Sequence, residues 1–465
     1  MHTTQAELDS DFHLDIFGQQ PALQIYTQIC LCYSVQSSDA SSHSAIINTL
    51  TNGLERLSAS FPWITGQVVN EGTKQGNSGV YKIKPLESIP RLIVKDLRND
   101  LSIPTMDAMR RANFPMSMLD ESIIAPRNTL PGTSGEPLSD TTPVFLIQAN
   151  FITGGLLLTF VGGHQTMDMT GQGQIIRLLA KACRNEEFTS EELLWGNRSR
   201  RDIIPLLDDS FEPGSELAYQ IETPTPSQPI SDDSSVPPPP PKFSWANFSF
   251  DPTSLAALKS LATETISSGY ISTDDALTAF IWQSIARIRL PRLDPTSKLT
   301  FARAVDTRHY LDIPRIYTGV VVNMTYHPHT LQKLLEEPLG SLASQLRLAV
   351  DSKTSNLGYS TRATATILNR STDKGTISAT ATFDLSSDMM LSSWARENLY
   401  ELDFNLGLGK PESVRRPQFF PVESLIYILP RRLDGELVVA MCLRDEDMER
   451  LRQDTEFAKY GRYIG

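Results

Sequence analysis

The chain has 465 residues, 40% of them hydrophobic and 21% charged, with a formal net charge of −12. That length exceeds a usual single domain, so two domains are expected, and the composition is that of a globular chain. The acidic balance argues against nucleic acid or an anionic membrane as the main partner, and an anionic ligand needs a local basic patch.

The four cysteines, Cys30, Cys32, Cys183 and Cys442, have neither zinc spacing nor a C-x-x-C pair. No metal site and no disulfide scaffold is expected, and free thiols suit a reducing compartment. The opening Met1-His2-Thr3-Thr4-Gln5-Ala6-Glu7 is polar, with no apolar leader core. No apolar run approaches the roughly 18–20 residues of a membrane span. A cytoplasmic location and no membrane partner are expected.

Residues 22–35 read as a strand. Ile46, Ile47, Leu50, Leu54 and Leu57 then recur at helical spacing up to Phe61-Pro62, and 62–67 turns the chain. Short strands are expected at 80–83 and 92–94, and a surface loop at 130–143. Strands 144–152 and 156–161 flank Thr153-Gly154-Gly155, a hairpin signal. Gly162-Gly163 ends the second strand, His164 follows at once, and Asp168 lies four residues further on. The run from Gln174 to Ala182 has helical apolar spacing. A single histidine delivered from a strand end, between two glycines and a helix, sits where α/β enzymes place reactive groups. A structural, hydrogen-bonded histidine is the plainer reading of the same spacing. Residues 188–201 read as surface helix and loop.

From 223 to 242 the chain is rich in Pro and Ser and includes five successive prolines, Pro237 to Pro241. Such a run favours extended polyproline and reads as a crossover linker between halves 1–222 and 243–465. A docking ligand for a proline-reading partner is the less favoured reading. Residues 244–250 alternate aromatic and polar, as an exposed strand does. Leu255, Leu258 and Leu261 mark a helix. Ser272-Thr273-Asp274-Asp275 has the form of a capping box opening a strong amphipathic helix through Ile288. Strands at 299–305 and 319–326 bracket Asp306-Thr307-Arg308, and 331–350 is helical with breaks at Pro338 and Gly340. A strand at 389–394, a compact loop at 403–411, a hairpin of 424–429 with 437–443 and a closing helix carrying Met448 and Leu451 complete the chain. The fold class is therefore α/β, with a mixed sheet in each half.

Taken together, His164-Gln165-Thr166-Met167-Asp168 and Asp403-Phe404-Asn405-Leu406-Gly407 resemble the motif pair HxxxD and DFGWG of the BAHD acyl-CoA-dependent acyltransferases. Trp282 in its helix, Asp306-Thr307-Arg308, Ser392-Ser393-Trp394 and the closing hairpin and helix agree, so the resemblance covers essentially the whole chain. Within that family the chain is similar to the fungal trichothecene 3-O-acetyltransferases, through Phe61-Pro62-Trp63-Ile64-Thr65-Gly66-Gln67, Glu121-Ser122-Ile123-Ile124-Ala125-Pro126-Arg127 and Leu406-Gly407-Leu408-Gly409-Lys410-Pro411. Two positions depart from the wider family pattern: Met169 replaces a glycine, and Asn405-Leu406 replaces Gly-Trp.

The resemblance implies two chloramphenicol-acetyltransferase-like domains, each a mixed sheet with flanking helices, and an active-site channel at their interface. It implies acetyl transfer from acetyl-CoA to a small-molecule alcohol, foremost the C3 hydroxyl of a trichothecene, by a monomer with no bound cofactor and no metal. His164 would be the general base. Asp168 would turn away to pair with Arg308 rather than relay a proton. Ser392 and Trp394 would face the oxyanion, or else only pack in their strand. Asp403 and Gly407 would fix loop geometry, with Gly407 and Gly409 at unusual backbone angles. Ser272 and Thr273 match the CoA-binding region, and Lys410, Arg415 and Arg416 would offer positive charge to its phosphates. The chain has no G-x-S-x-G and no H-E-x-x-H, so serine-elbow and zincin hydrolases lack support. An O-acyltransferase for another terpenoid or alkaloid alcohol is the nearest rival reading. A carrier-dependent condensation domain and a non-catalytic binding protein of the same fold are weaker rivals.

Overall fold

The computed structural model describes residues 12–35, 40–86, 92–133, 141–221 and 240–465. Residues 223–239 of the expected linker lie outside the described residues, as do 134–140 of the expected loop at 130–143.

In the first half the elements run β1 (Phe12–His13), β2 (Tyr26–Ser34), α1 (Ala40–Ser60), β3 (Gly66–Glu71), β4 (Val80–Pro85) and β5 (Leu92–Asp96), then α2 (Met106–Arg111), α3 (Glu121–Ile124), β6 (Phe145–Ile152), β7 (Gly155–Gly163), α4 (Met169–Cys183) and α5 (Ser190–Gly196). The second half contributes β8 (Phe243–Phe250), α6 (Pro252–Thr263), α7 (Thr273–Arg289), β9 (Lys298–Asp306), β10 (Val322–Thr330), α8 (Leu331–Glu336), α9 (Leu339–Leu348) and α10 (Leu357–Arg370). It closes with β11 (Met389–Ser393), β12 (Ser413–Arg415), β13 (Leu425–Ile428), β14 (Leu437–Arg444), α11 (Asp445–Gln453), α12 (Thr455–Ala458) and β15 (Arg462–Tyr463).

Two mixed sheets form. The first has the order β12-β2-β7-β6-β5, with β5 parallel to β6 and the rest antiparallel. The second has the order β10-β9-β11-β13-β14-β8-β15, with β11 parallel to both its neighbours. A small sheet, β1-β4-β3, completes the first half. Helix α1 lays Leu50, Leu54 and Leu57 into one core with Ile175, Ile176 and Leu179 of α4. Helix α7 buries Trp282, whose ring lies 5.0 Å from that of Phe301 in β9. Burying each such large apolar side chain is worth about 1.5–3 kcal/mol.

Several sequence expectations are corrected. The stretch 244–250 is not exposed: β8 lies between β14 and β15, so it is an interior strand, and its last six residues are buried. The expected turn at 62–67 is a 3-10 turn, Pro62–Thr65, running directly into strand β3. The helical stretch at 331–350 divides at Pro338 as expected, since proline supplies no N–H to continue α8, but Gly340 does not break it and lies inside α9. The expected strand from 22 begins only at Tyr26, after a 3-10 turn at Pro21–Leu23. Strand β12 crosses the sequence division at the linker, because it pairs with β2 of the first sheet, Ser413 opposite Cys32 and Arg415 opposite Cys30. The loop ahead of it also packs there, since Phe404 stacks on Phe160 of β7 at 5.8 Å.

Candidate active site

His164 emerges where β7 ends. Its backbone N–H donates to the Ile25 carbonyl at 2.8 Å, just before β2 begins, so the loop leaves the sheet in a fixed direction. Thr166 N–H and its hydroxyl both donate to the Gly163 carbonyl, at 2.9 and 2.7 Å, which closes a tight turn. The imidazole is half-buried, with Nδ1 3.3 Å from the Met167 carbonyl. A donor is required at Nδ1 for that contact, which leaves the Nε2 lone pair free. Burial pushes the His164 pKa below its ordinary value of 6.5; Asp168 opposes the shift and Arg416 reinforces it.

Asp168 does not face the imidazole as a relay. It is buried and caps α4, accepting from Gly171 N–H at 2.8 Å. Its two oxygens also take both terminal nitrogens of Arg308, at 2.8 and 3.0 Å, and the N–H of Val321 at 2.9 Å. Arg308 is itself buried and donates to the carbonyls of Tyr317 and Gly319, at 3.1 and 2.7 Å, and to Asp306 at 2.9 Å. The fork geometry fixes the end of the histidine loop against a segment 140 residues away. Gly171 permits this close approach, because a Cβ there would sit 2.1 Å from the Thr318 carbonyl oxygen.

A second clamp had no sequence signal. Arg200 is buried, donates to the Thr166 carbonyl and pairs with Asp15 at 3.3 Å, while its guanidinium lies 4.4 Å from the Trp63 ring centre. Asp15 in turn accepts from the Tyr317 hydroxyl and from Val320 N–H at 3.1 Å. Both clamps therefore end on the segment 317–321. Arg200 falls within the stretch expected on the surface; its burial between two aromatic rings and a carboxylate 185 residues away was not legible locally.

The Transferase family model matches residues 126–458, and the model of the trichothecene 3-O-acetyltransferase-like N-terminal domain matches residues 25–183. The chain belongs to the BAHD acyltransferase family. It is 59% identical to O-acetyltransferase dmxR13 of Cryptosporiopsis, over 99% of both chains. It is 51% identical to trichothecene 3-O-acetyltransferase TRI101 of Fusarium sporotrichioides, over 98% of this chain and 97% of that one. The crystal structure of F. sporotrichioides TRI101 complexed with coenzyme A and T-2 superposes with a TM-score of 0.89, covering 97% of this chain and 99% of that one.

The remaining residues of this acyltransferase fall into three groups. The Trp394 indole N–H donates to Ser392 Oγ at 3.1 Å. That bond occupies the only donor of the Trp394 side chain and leaves the Ser392 hydroxyl proton free to point elsewhere. Asp403 accepts from Asn405 N–H at 2.8 Å, and its carbonyl accepts from Arg184 at the end of α4 at 2.6 Å. Gly407 and Gly409 have φ of +73° and +68°, with no atom within 4 Å of an added Cβ. Their demand is thus purely conformational. Gly407→Ala is expected to cost about 1–2 kcal/mol in a denaturant melt, the penalty of a left-handed L-residue.

Two of the CoA candidates are not exposed as expected. Arg415 and Arg416 are each 2% exposed and are no surface patch. Arg415 donates to the carbonyls of Phe114 and Val414, at 3.1 and 3.0 Å, which satisfies it within the protein. Ser272 Oγ caps α7 and also accepts from Arg347 at 2.8 Å, while Asp275 occupies the same helix end. Thr273 is half-buried in the first turn. Arg303 binds Asp274 and Asp275, and Ser393 donates to Asp274 at 3.0 Å. Lys410 pairs on the surface with Glu401 at 2.6 Å. Among the described residues no three His, Cys, Asp or Glu gather as a metal site, and no helix is long and apolar enough to cross a membrane. All four cysteines are free and buried.

Proposed function

We propose that the protein transfers the acetyl group of acetyl-CoA to a hydroxyl of a fungal secondary metabolite, with the C3 hydroxyl of a trichothecene as acceptor and His164 as general base. The observation that carries the reading is a half-buried imidazole with a free Nε2, beside an Asp168 committed to Arg308 and to the N–H groups of Gly171 and Val321. Nε2 takes the proton from the acceptor hydroxyl as its oxygen attacks the thioester carbonyl. The tetrahedral intermediate collapses with loss of the CoA thiolate, which recovers the proton from the imidazolium. The Ser392 hydroxyl supports the oxyanion, with Trp394 orienting it. The reading requires acceptor and thioester to reach His164 from between the two sheets. A monomer in the cytoplasm suffices for this chemistry. A second acceptor class has support in the 59% identity to an O-acetyltransferase whose name specifies no trichothecene.

The test is thiol release from acetyl-CoA with a panel of trichothecene, other terpenoid and alkaloid alcohols. Turnover confined to the non-trichothecene alcohols moves the acceptor away from trichothecenes, and no turnover with any of them sinks the enzyme reading of the site. The pH profile adds a sign. A base must be neutral to act, and burial holds His164 below 6.5. The acidic limb of kcat/KM should therefore fall below pH 6.5, and a limb above that value would place the essential base elsewhere. By the same linkage, His164 protonates more readily in the unfolded chain, so its contribution weakens the fold as pH drops below 6.5.

A further inference from the structure

Helix α4 carries two working faces. Ile175, Ile176 and Leu179 lie in the core of the first half. Thr170, Gly173, Gln174 and Arg177 recur at i, i+3, i+4 and i+7, and each meets the second half of the chain. The Thr170 hydroxyl donates to Asp306 at 3.1 Å, and Gln174 Nε2 donates to the Arg315 carbonyl at 3.2 Å. Into the middle of this stripe the second half inserts the Glu397 carboxylate, a residue only 4% exposed. Its Oε1 accepts from Arg315 at 2.5 Å and lies 3.5 Å from the Thr170 hydroxyl, and its Oε2 lies 3.9 Å from Arg177. Gly173 makes the room, because a Cβ there would sit 2.4 Å from Oε2. Burial pushes the Glu397 carboxyl above its ordinary value; Arg315 and Arg177 oppose the shift, and Asp168 and Asp306 reinforce it. Packing alone does not call for a carboxylate here, since an apolar side chain fills such space without that desolvation. A carboxylate held between an arginine of each half fixes one register between them.

The backbone carries that register to the chemistry. On one side, Asp168 caps α4 two residues before Thr170, and His164 lies four residues before the cap. On the other, Glu397 N–H donates to the Trp394 carbonyl at 2.9 Å and closes the turn after β11. Trp394 N–H is fixed to the Ile428 carbonyl at 2.7 Å, and its indole donates to Ser392 Oγ at 3.1 Å. One side chain thus joins the helix that follows the histidine loop to the turn that follows Ser392. The clamps through Arg308 and Arg200 end instead on the segment 317–321.

We propose that Glu397 is a positioning residue for acetyl transfer: seated at Gly173, its carboxylate sets the spacing between His164 and Ser392. The inference rests on the reading of His164 as base and Ser392 as oxyanion donor. A methyl group at position 173 must push the carboxylate back by about 1 Å to reach ordinary contact, and a misplacement of about 1 Å costs up to about 10²-fold in rate.

The experiment is an exchange of size. Gly173→Ala adds the methyl group, Glu397→Asp withdraws the carboxylate by one methylene, and a double variant combines them. Thiol release is measured with acetyl-CoA and the alcohol that the parent enzyme turns over fastest. Each single variant is expected to lose at least about tenfold in kcat with both KM values within about twofold, and the double variant to regain at least about fivefold over Gly173→Ala. The Trp394 indole N–H signal, assigned among the five tryptophans by its loss in Trp394→Phe, gives a reading independent of turnover. It should move in Gly173→Ala and return toward its parent position in the double variant. A merely structural contact lowers the melting temperature and leaves kcat of the folded protein unchanged, and that result overturns the proposal. So does an unmoved indole signal, a rise in KM alone, or a double variant no better than Gly173→Ala. Failure of both single variants to fold also overturns it, because the carboxylate would then serve packing. Activity retained in His164→Ala sinks the base reading by itself, whereas the indole signal still decides whether Glu397 holds the turn after Ser392.

Discussion

Replacing His164 with alanine is expected to lower kcat for acetyl transfer by about 10²–10⁴-fold, the usual worth of a positioned general base. The fold should survive, because the imidazole makes one 3.3 Å contact to the Met167 carbonyl and the turn around it is closed by the backbone and by Thr166. Thermal melting close to that of the parent, with thiol release from acetyl-CoA at background, is the predicted pair of readings. Activity kept within about threefold sinks the assignment, being far short of the loss a general base implies. The size of the loss also separates base catalysis from orientation alone, since a variant that still binds both substrates keeps the gain from proximity.

Breaking the Asp168–Arg308 fork should act in the opposite manner, on stability first. Arg308→Met leaves a buried carboxylate with only two backbone N–H donors, those of Gly171 and Val321. Unpairing such a charge costs about 3–5 kcal/mol, which urea unfolding can measure. Activity should fall as well, because the loop that presents His164 loses one of its two anchors to the segment 317–321. Replacing both partners with apolar residues, as in Arg308→Met with Asp168→Leu, should recover part of the lost stability because no charge is then stranded. A fully stable but inactive Asp168→Asn enzyme would contradict this account and give Asp168 a direct chemical role.

The two motifs were legible because they are local. His164 follows a strand and two glycines, Asp168 starts a helix it can cap, and Ser272 precedes an Asp three residues on; each is a short-range hydrogen-bond pattern written in consecutive residues. The resemblance then added Arg308 as the partner of Asp168, 140 residues away. Arg415 and Arg416 show the opposite case. In sequence they are two adjacent basic residues, which read as exposed charge. Their burial follows from β12 joining β2, and from an aromatic cage assembled out of Trp394, Phe419 and Tyr427. Arg200 and Asp15 were missed for the same reason.

The sequence by itself determined the family, the α/β class, most strands and helices, and the histidine we propose as the base. Those features depend on periodicity, caps and turns, which are decided within a few residues of chain. Only the tertiary structure decided which charges are spent and which are free. Arg415 is spent on backbone carbonyls and Arg200 on Asp15 and the Thr166 carbonyl, whereas Arg416 sits in its aromatic cage with no hydrogen bond or salt bridge among the described residues. A side chain's charge acts through its burial and its partners, and both are set by packing between segments far apart in the chain.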